Sequence, residues 1–339
     1  MPLKKRIITL GRKRSNHGYR NVRRFNWCNI ILYVGALVVG FVLLVKGSDY
    51  FVDGAAGAAT KLGIPQLVIG LTIVAMGTSA PEAAVSITAA VTGNADITIG
   101  NIVGSNILNV LIILGIASVI VPIAVAKSTI KIDIPFMLGC SVLLIILGLD
   151  GKIGLLDGIV FWAFFIAYLS YLFINARKNK ENTDDESSRE IKLIKQLAFI
   201  IGGLIAIIAG SKFAVYGATE IARAVGISER FIGLTVVALG TSLPELFTSV
   251  NAARKGNADI AIGNIVGSNI FNILFIVGTT SFVRQVPFDP KFIVDSVVMV
   301  VAGIILWAAV LKKEKLTRTG GIVMLLAYLA YFVYLCMKP

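Results

Sequence analysis

Apolar residues run through this chain in ten stretches separated by short polar connections. About 20 apolar residues in a helix cross the hydrocarbon core of a bilayer. The pattern predicts helical spans over 30–52, 66–91, 98–121, 134–149, 155–175, 195–213, 231–253, 261–283, 293–311 and 320–337. Nothing in it has the two-residue alternation of a transmembrane β-barrel. Between the fifth and sixth spans, ARKNKENTDDESSREIK (176–192) is charged and free of aromatics, which reads as a solvated linker too short to hold a regulatory domain. The expectation is an all-α integral membrane protein. It comprises a basic tail (1–27), a five-helix unit (28–175), the linker (176–192) and a second five-helix unit (193–339).

The two units repeat one another. GNADITIGNIVGSNILN (93–109) and GNADIAIGNIVGSNIFN (256–272) agree at fifteen of seventeen positions, at an offset of 163 residues. At the same offset GLTIVAMGTSAPE (70–82) matches GLTVVALGTSLPE (233–245) at ten of thirteen. Gly47-Ser48, Gly54 and Gly63 likewise match Gly210-Ser211, Gly217 and Gly226. Five is odd, so equivalent helices of the two units cross the bilayer in opposite directions. Such an inverted repeat places a substrate site near the midplane of secondary transporters. A duplication kept only for packing gives no reason to repeat carboxylates.

Composition agrees with the pattern. Of 339 residues, 56% are hydrophobic and 15% charged, and the mean hydropathy is +0.84. That is too little charge for a soluble surface. The net charge of +13 suggests nucleic acid until the charges are located: nine of the 32 Lys and Arg lie in residues 1–24, and most others sit in short loops. Loops on the linker's side carry more than twice the Lys and Arg of the opposite loops once the tail is set aside, which predicts a cytoplasmic linker. The tail itself pulls the other way. It has no small-residue cleavage site behind a short apolar core, so it is not read as a removable signal. Cys28, Cys140 and Cys336 are scattered singly and the only histidine, His17, lies in the tail, so neither a disulfide framework, a zinc site nor a histidine-based catalyst is expected.

Candidate chemistry sits in the middle of spans 2 and 7. In GTSAPE (77–82) and GTSLPE (240–245) a proline deprives the helix of a hydrogen bond to Gly77 and Gly240, so both helices are expected to break. Carbonyls released at membrane depth commonly face a cavity or a cation. Glu82 and Glu245 follow at once, with no Lys or Arg nearby in sequence, and an ionised carboxylate costs a few kcal/mol at the bilayer centre. Two facing carboxylates supply a charge of −2, suited to one calcium ion or to two or more sodium ions; two protonated, hydrogen-bonded glutamates are the alternative. Thr78 and Thr241 stand four residues before the acids, on the same helix face if winding persists. Asn101, Ser105 and Asn109 form a polar stripe on span 3, repeated by Asn264, Ser268 and Asn272 on span 8. Their oxygens are hard donors of the kind calcium and sodium take, and interhelical hydrogen bonds are the plainer role. Asp96 and Asp259 are expected to cap helices, and Asp49 and Lys212 to snorkel from span ends.

These motifs, G-T-S-x-P-E in spans 2 and 7 with G-N-x-x-G-S-N-x-x-N in spans 3 and 8, resemble the α-repeats of the cation/calcium exchanger superfamily, in particular its prokaryotic sodium/calcium exchanger branch. The resemblance covers residues 30–337. It implies ten helices, alternating access by sliding of helices 1 and 6 against the rest, and a midplane calcium site with sodium sites sharing its ligands. The calcium ligands it implies are Glu82, Glu245, Thr78 and Thr241. The sodium sites would add Ser79, Ser242, Ser105 and Ser268 and the carbonyls of Ala75 and Ala238, with Asn109 lining the centre. One departure is Asn272, where family members often carry an acid and potassium-dependent relatives an aspartate; it argues against potassium co-transport. The linker lacks the large calcium-sensing insert of animal relatives.

The function expected is therefore a sodium/calcium antiporter of the cytoplasmic membrane. Calcium and sodium are its cargo, with no resident cofactor, no nucleic acid and no obligatory protein partner. A proton/calcium or other divalent-cation antiporter is the alternative. A membrane-embedded hydrolase using Ser79 or Ser242 lacks a histidine or lysine base beside the nucleophile, and a channel would differ in ignoring the counter-ion gradient.

Overall fold

The computed structural model describes residues 27–178, 187–226 and 238–337. Most of the basic tail, the middle of the linker and the opening of the predicted seventh span (231–237) lie outside them. The helices are α1 (Trp27–Leu62), α2 (Gln66–Thr78), α3 (Ala80–Thr92), α4 (Ile97–Ile120), α5 (Thr129–Gly148) and α6 (Leu155–Lys178), followed by α7 (Ser187–Ala224), α8 (Ala238–Thr241), α9 (Leu243–Arg254), α10 (Ala258–Val283), α11 (Lys291–Leu311) and α12 (Arg318–Met337). Among the described residues, eight helices are long and apolar enough to cross a membrane, or nine with α2 and α3 taken as one span bent by 48°. The chain is a multi-pass membrane protein.

The bend is where the proline predicts it. Ser79 leaves helical geometry (φ −82°, ψ 6°), and Pro81 falls in the first turn of α3, where a missing N–H costs nothing. Ser242 (φ −88°, ψ 3°) and Pro244 repeat the break between α8 and α9. Gly93 and Gly256, again one offset apart, end α3 and follow α9 at φ 96° and 80°, a left-handed conformation that a side chain would strain.

Two helices overrun their predicted ends. The apolar pattern stops the first span at 52 and confines the sixth to 195–213, yet α1 reaches Leu62 and α7 runs from Ser187 to Ala224. Alanine-rich runs (54–60 and 217–224) carry the helices on after hydropathy falls. The fourth span starts at 129 instead of 134, with a π-helical turn over Thr129–Asp133.

α1 and α7 lie antiparallel and unusually close. Gly40, Gly47 and Gly54 recur every seven residues, as do their equivalents Gly203, Gly210 and Gly217. A Cβ on Gly203 would sit 2.7 Å from the Gly47 carbonyl oxygen, and one on Gly47 would sit 2.9 Å from the Ile207 amide nitrogen. Backbones this near exchange dispersion energy over their whole shared length, which substitutes for a hydrophobic driving force that lipid does not supply.

Elsewhere the halves exchange partners. Strand β1 (Ile123–Ala124) pairs with β4 (Lys315–Leu316), and β2 (Lys152–Ile153) with β3 (Val286–Pro287). Adding 163 to β1 gives β3 and adding it to β2 gives β4, and the registers map onto one another residue by residue. A two-fold rotation relating the halves produces such an exchange. α4 and α10 are the most enclosed of the spanning helices.

The glycine seam gives a direct prediction. Gly203→Leu should cost about 1–3 kcal/mol through overpacking and lower the melting temperature measured in detergent. Gly202→Leu should leave that temperature unchanged, because a Cβ there meets nothing within 4 Å.

Candidate functional site: a paired-glutamate cluster between the halves

The breaks at Ser79 and Ser242 bring Glu82 and Glu245 to the first turns of α3 and α9, both fully buried. Each is held by a serine of the opposite half: Ser79 Oγ donates to Glu245 Oε1 (2.9 Å) and Ser242 Oγ to Glu82 Oε1 (3.4 Å). Ser105 Oγ also donates to Glu82 Oε1 (3.2 Å) and lies 3.1 Å from Ser242 Oγ. No third Asp, Glu, His or Cys joins the pair among the described residues. The C-terminal ends of α2 and α8, which carry partial negative charge, are set beside them.

Thr78 departs from its expected place. The break at Ser79 interrupts the four-residue spacing, so its hydroxyl donates across the halves to Asn264 Oδ1 (2.9 Å) and lies against Glu245 instead of Glu82. Ser268 Oγ donates to the Ala75 carbonyl (3.4 Å). Ala238 and Thr241 are the first and last residues of α8. The carbonyl freed at Gly240 is taken by Ser211 Oγ of α7 (2.6 Å).

The polar stripes flank this centre. Asn101 Nδ2 donates to the Glu82 carbonyl (3.3 Å) and to Ser86 Oγ (3.0 Å). Asn264 Nδ2 repeats this with the Glu245 carbonyl (3.5 Å) and Ser249 Oγ (2.8 Å). These amides therefore brace the backbone that bears the acids. Ser86 and Ser249 do not stand out in the sequence, although they repeat at the offset.

A second clamp is also hidden from the sequence. Asn106 Nδ2 donates to the Asn269 carbonyl (3.1 Å) and Asn269 Nδ2 to the Asn106 carbonyl (3.2 Å), a reciprocal pair across the two-fold axis. Their side-chain oxygens accept Nδ2 of Asn272 and Asn109, each at 3.0 Å. Asn109 and Asn272 open the π-helical turns Asn109–Leu114 and Asn272–Val277, features often found at functional sites. With their nitrogens so engaged, their Oδ1 atoms are left over.

Four oxygens now stand out. Glu82 Oε2, Glu245 Oε2, Asn109 Oδ1 and Asn272 Oδ1 are buried without a hydrogen-bond partner, as two pairs one offset apart. An unpartnered buried acceptor costs about 1–3 kcal/mol, more if charged. All four are oxygens, two of them on carboxylates, which is the donor type that hard cations take.

Two expectations are corrected outside the centre. Asp96 holds the N-cap position of α4 but makes no capping bond, and Asn257, not Asp259, holds that position at α10, likewise without a capping bond; Asp259 sits in the first turn. Asp49, expected near a span end, has a partner in the fold. It lies well inside the overlong α1, bound by Asn251 and Lys255 of the α9 end.

Residues 32–174 and 195–337 match the family model described as sodium/calcium exchanger protein. The putative antiporter CaxA of Alkalimonas amylolytica is 38% identical over 306 residues, spanning 87% of this chain and 96% of that protein. The sodium/calcium exchanger MaX1 of Methanosarcina acetivorans is 34% identical, spanning 88% and 97%. Among solved structures, the sodium-calcium exchanger NCX_Mj superposes with a TM-score of 0.80 at 35% identity, covering 90% of this chain and 99% of that one. The family is one of membrane transporters and not of enzymes. With both repeats matched and its relatives spanned almost end to end, the chain belongs to the sodium/calcium exchanger family.

Proposed function

We propose that the protein exchanges sodium for calcium across the cytoplasmic membrane by alternating access, at a site built on Glu82 and Glu245 near the bilayer midplane. The observation that carries this reading is the set of four unpartnered buried oxygens on two facing carboxylates and two amides. Calcium takes six to eight oxygens. The two glutamates, the hydroxyls of Thr78, Ser79, Thr241, Ser242, Ser105 and Ser268, the carbonyls of Ala75 and Ala238 and the amides of Asn109 and Asn272 are the available donors. Ten spans in two inverted units of five, with a cytoplasmic linker, would set this site where the halves meet. The ions are cargo, and no resident cofactor is needed.

Coupling follows from charge. One calcium ion neutralises both carboxylates, and sodium ions drawing on the same oxygens exclude it. With neither bound, two bare charges would have to pass through a low-dielectric barrier, at a cost of several kcal/mol for each. Only a loaded site crosses, so each ion must be exchanged for the other.

Glu82→Gln and Glu245→Gln should each abolish calcium uptake driven by an outward sodium gradient in proteoliposomes, while elution on size exclusion stays that of the wild type. Near-normal exchange in either variant contradicts the site. Wild-type uptake should persist without potassium and vanish when a pH gradient replaces sodium; proton-driven uptake identifies the proton-coupled alternative. Asn272→Ala should raise the calcium concentration for half-maximal exchange roughly tenfold, the equivalent of about 1.4 kcal/mol lost from a contact to a charged group.

A further inference from the structure

A transporter made of two near-identical halves reaches its second access state by letting the halves trade roles. Wherever the halves carry the same residues, the two states are equal in energy. A preference between them must come from residues that differ.

Four polar residues at one joint do differ. Asp49 and Asp53 of α1 face Asn251 of α9 and Lys255 just beyond it. Lys255 Nζ lies 2.8 Å from Asp53 Oδ1 and 3.3 Å from Asp49 Oδ1, and donates to the Asp49 carbonyl (3.0 Å). Asn251 Nδ2 donates to Asp49 Oδ1 (2.9 Å) and Ser48 Oγ (3.3 Å). The equivalents at the mirror joint, between α7 and α3, are Lys212, Tyr216, Thr88 and Thr92. They hold no carboxylate to meet Lys212, and no such clamp can form.

Packing is unequal in the same sense. α1 lies along α9, with Phe41 against Phe247 (ring centroids 6.0 Å apart), whereas α7 has no comparable packing on α3 among the described residues. Leu204 and Ala84 stand where those two rings would be. Ser48 turns back to the carbonyl of Val45 in its own helix, while its equivalent Ser211 reaches the broken segment at Gly240.

We infer that Lys255 and Asn251 are positioning residues of the exchange cycle: they clamp α9, and with it Glu245, to α1, and so favour the state in which the α1–α9 joint is shut and the α7–α3 joint is the one free to open. Half-exposed ion pairs are individually weak. Here one ammonium binds three oxygens and one amide binds two, with Asp49 Oδ1 common to both, and a small bias is enough to shift a balanced equilibrium severalfold. The inference rests on the alternating-access reading above, and names what tilts it.

The test uses the full chain with Cys28 and Cys336 changed to Ser and spin labels placed through Thr88→Cys and Tyr216→Cys, across the α7–α3 joint. In ion-free lipid discs the wild-type clamp should give mainly one long distance. Lys255→Ala should move a substantial part of the population to a shorter one, and Lys255→Arg should restore the long one. In oriented proteoliposomes Lys255→Ala should raise the half-saturating calcium about three- to tenfold on the face served by the α7–α3 joint and lower it on the other. The calcium gradient held by a fixed sodium gradient should not change, because stoichiometry alone sets it. Installing the clamp at the mirror joint with Thr92→Lys, Lys212→Asp and Tyr216→Asp should reduce or reverse the asymmetry. Unchanged distances and half-saturation values in Lys255→Ala, or unchanged half-saturation values in the mirror variant should Lys255→Ala misfold, overturn the clamp. A label shift accompanied by loss of sodium dependence supports it while counting against the ions assigned to the site.

Discussion

Two fully buried carboxylates, each bound by a serine of the opposite half of a membrane-spanning bundle, cannot stand bare. Glu82 and Glu245 have one oxygen each tied to hydroxyls and one without a partner, and no Lys or Arg forms an ion pair with either among the described residues. The remainder of the architecture works around that unmet charge. Broken helices deliver the acids at first turns, and asparagine amides brace the backbone beneath them. The cross-half hydrogen bonds tie each acid to the opposite half. A soluble enzyme would admit water or supply an arginine; this protein presents oxygen, which suits a hard cation that can come and go.

The two-fold relation lets one set of contacts serve twice. Each half contributes an acid, a serine to the opposite acid, and an amide whose nitrogen is bonded while its buried oxygen has no partner. Asn106 and Asn269 pin the axis itself, since their reciprocal bonds hold only while the halves stay in register. Around this core the antiparallel α1–α7 pair is sealed by glycines every seven residues. Its attachment differs at its two ends, and that difference is where a preferred state can reside.

Much of this is legible in the chain. The repeat announces itself through identity at a fixed offset. The prolines at 81 and 244 locate the breaks, because a residue without an N–H inside an apolar span interrupts the helical ladder wherever it falls. The acids draw attention by their cost. What sequence does not carry is partnership across the halves. Spacing places Thr78 on a helix face but says nothing of Asn264, and once the helix breaks at Ser79 the four-residue rule no longer points to Glu82. Asn106 and Asn269 sit one position off the polar stripe, and only the structure shows them bonded to each other. Hydropathy ends the first span near Asp49 and Asp53 because their counter-charge, Lys255, comes from a different helix more than two hundred residues later.

The central claim is that calcium and sodium share the same two carboxylates. Equilibrium binding of labelled calcium to the purified protein, followed as sodium is raised at constant ionic strength, tests it most directly. The account predicts one calcium ion per chain in the absence of sodium, displaced completely and more steeply than the first power of sodium concentration. Calcium that stays bound at saturating sodium, or leaves only as ionic strength rises, would contradict it.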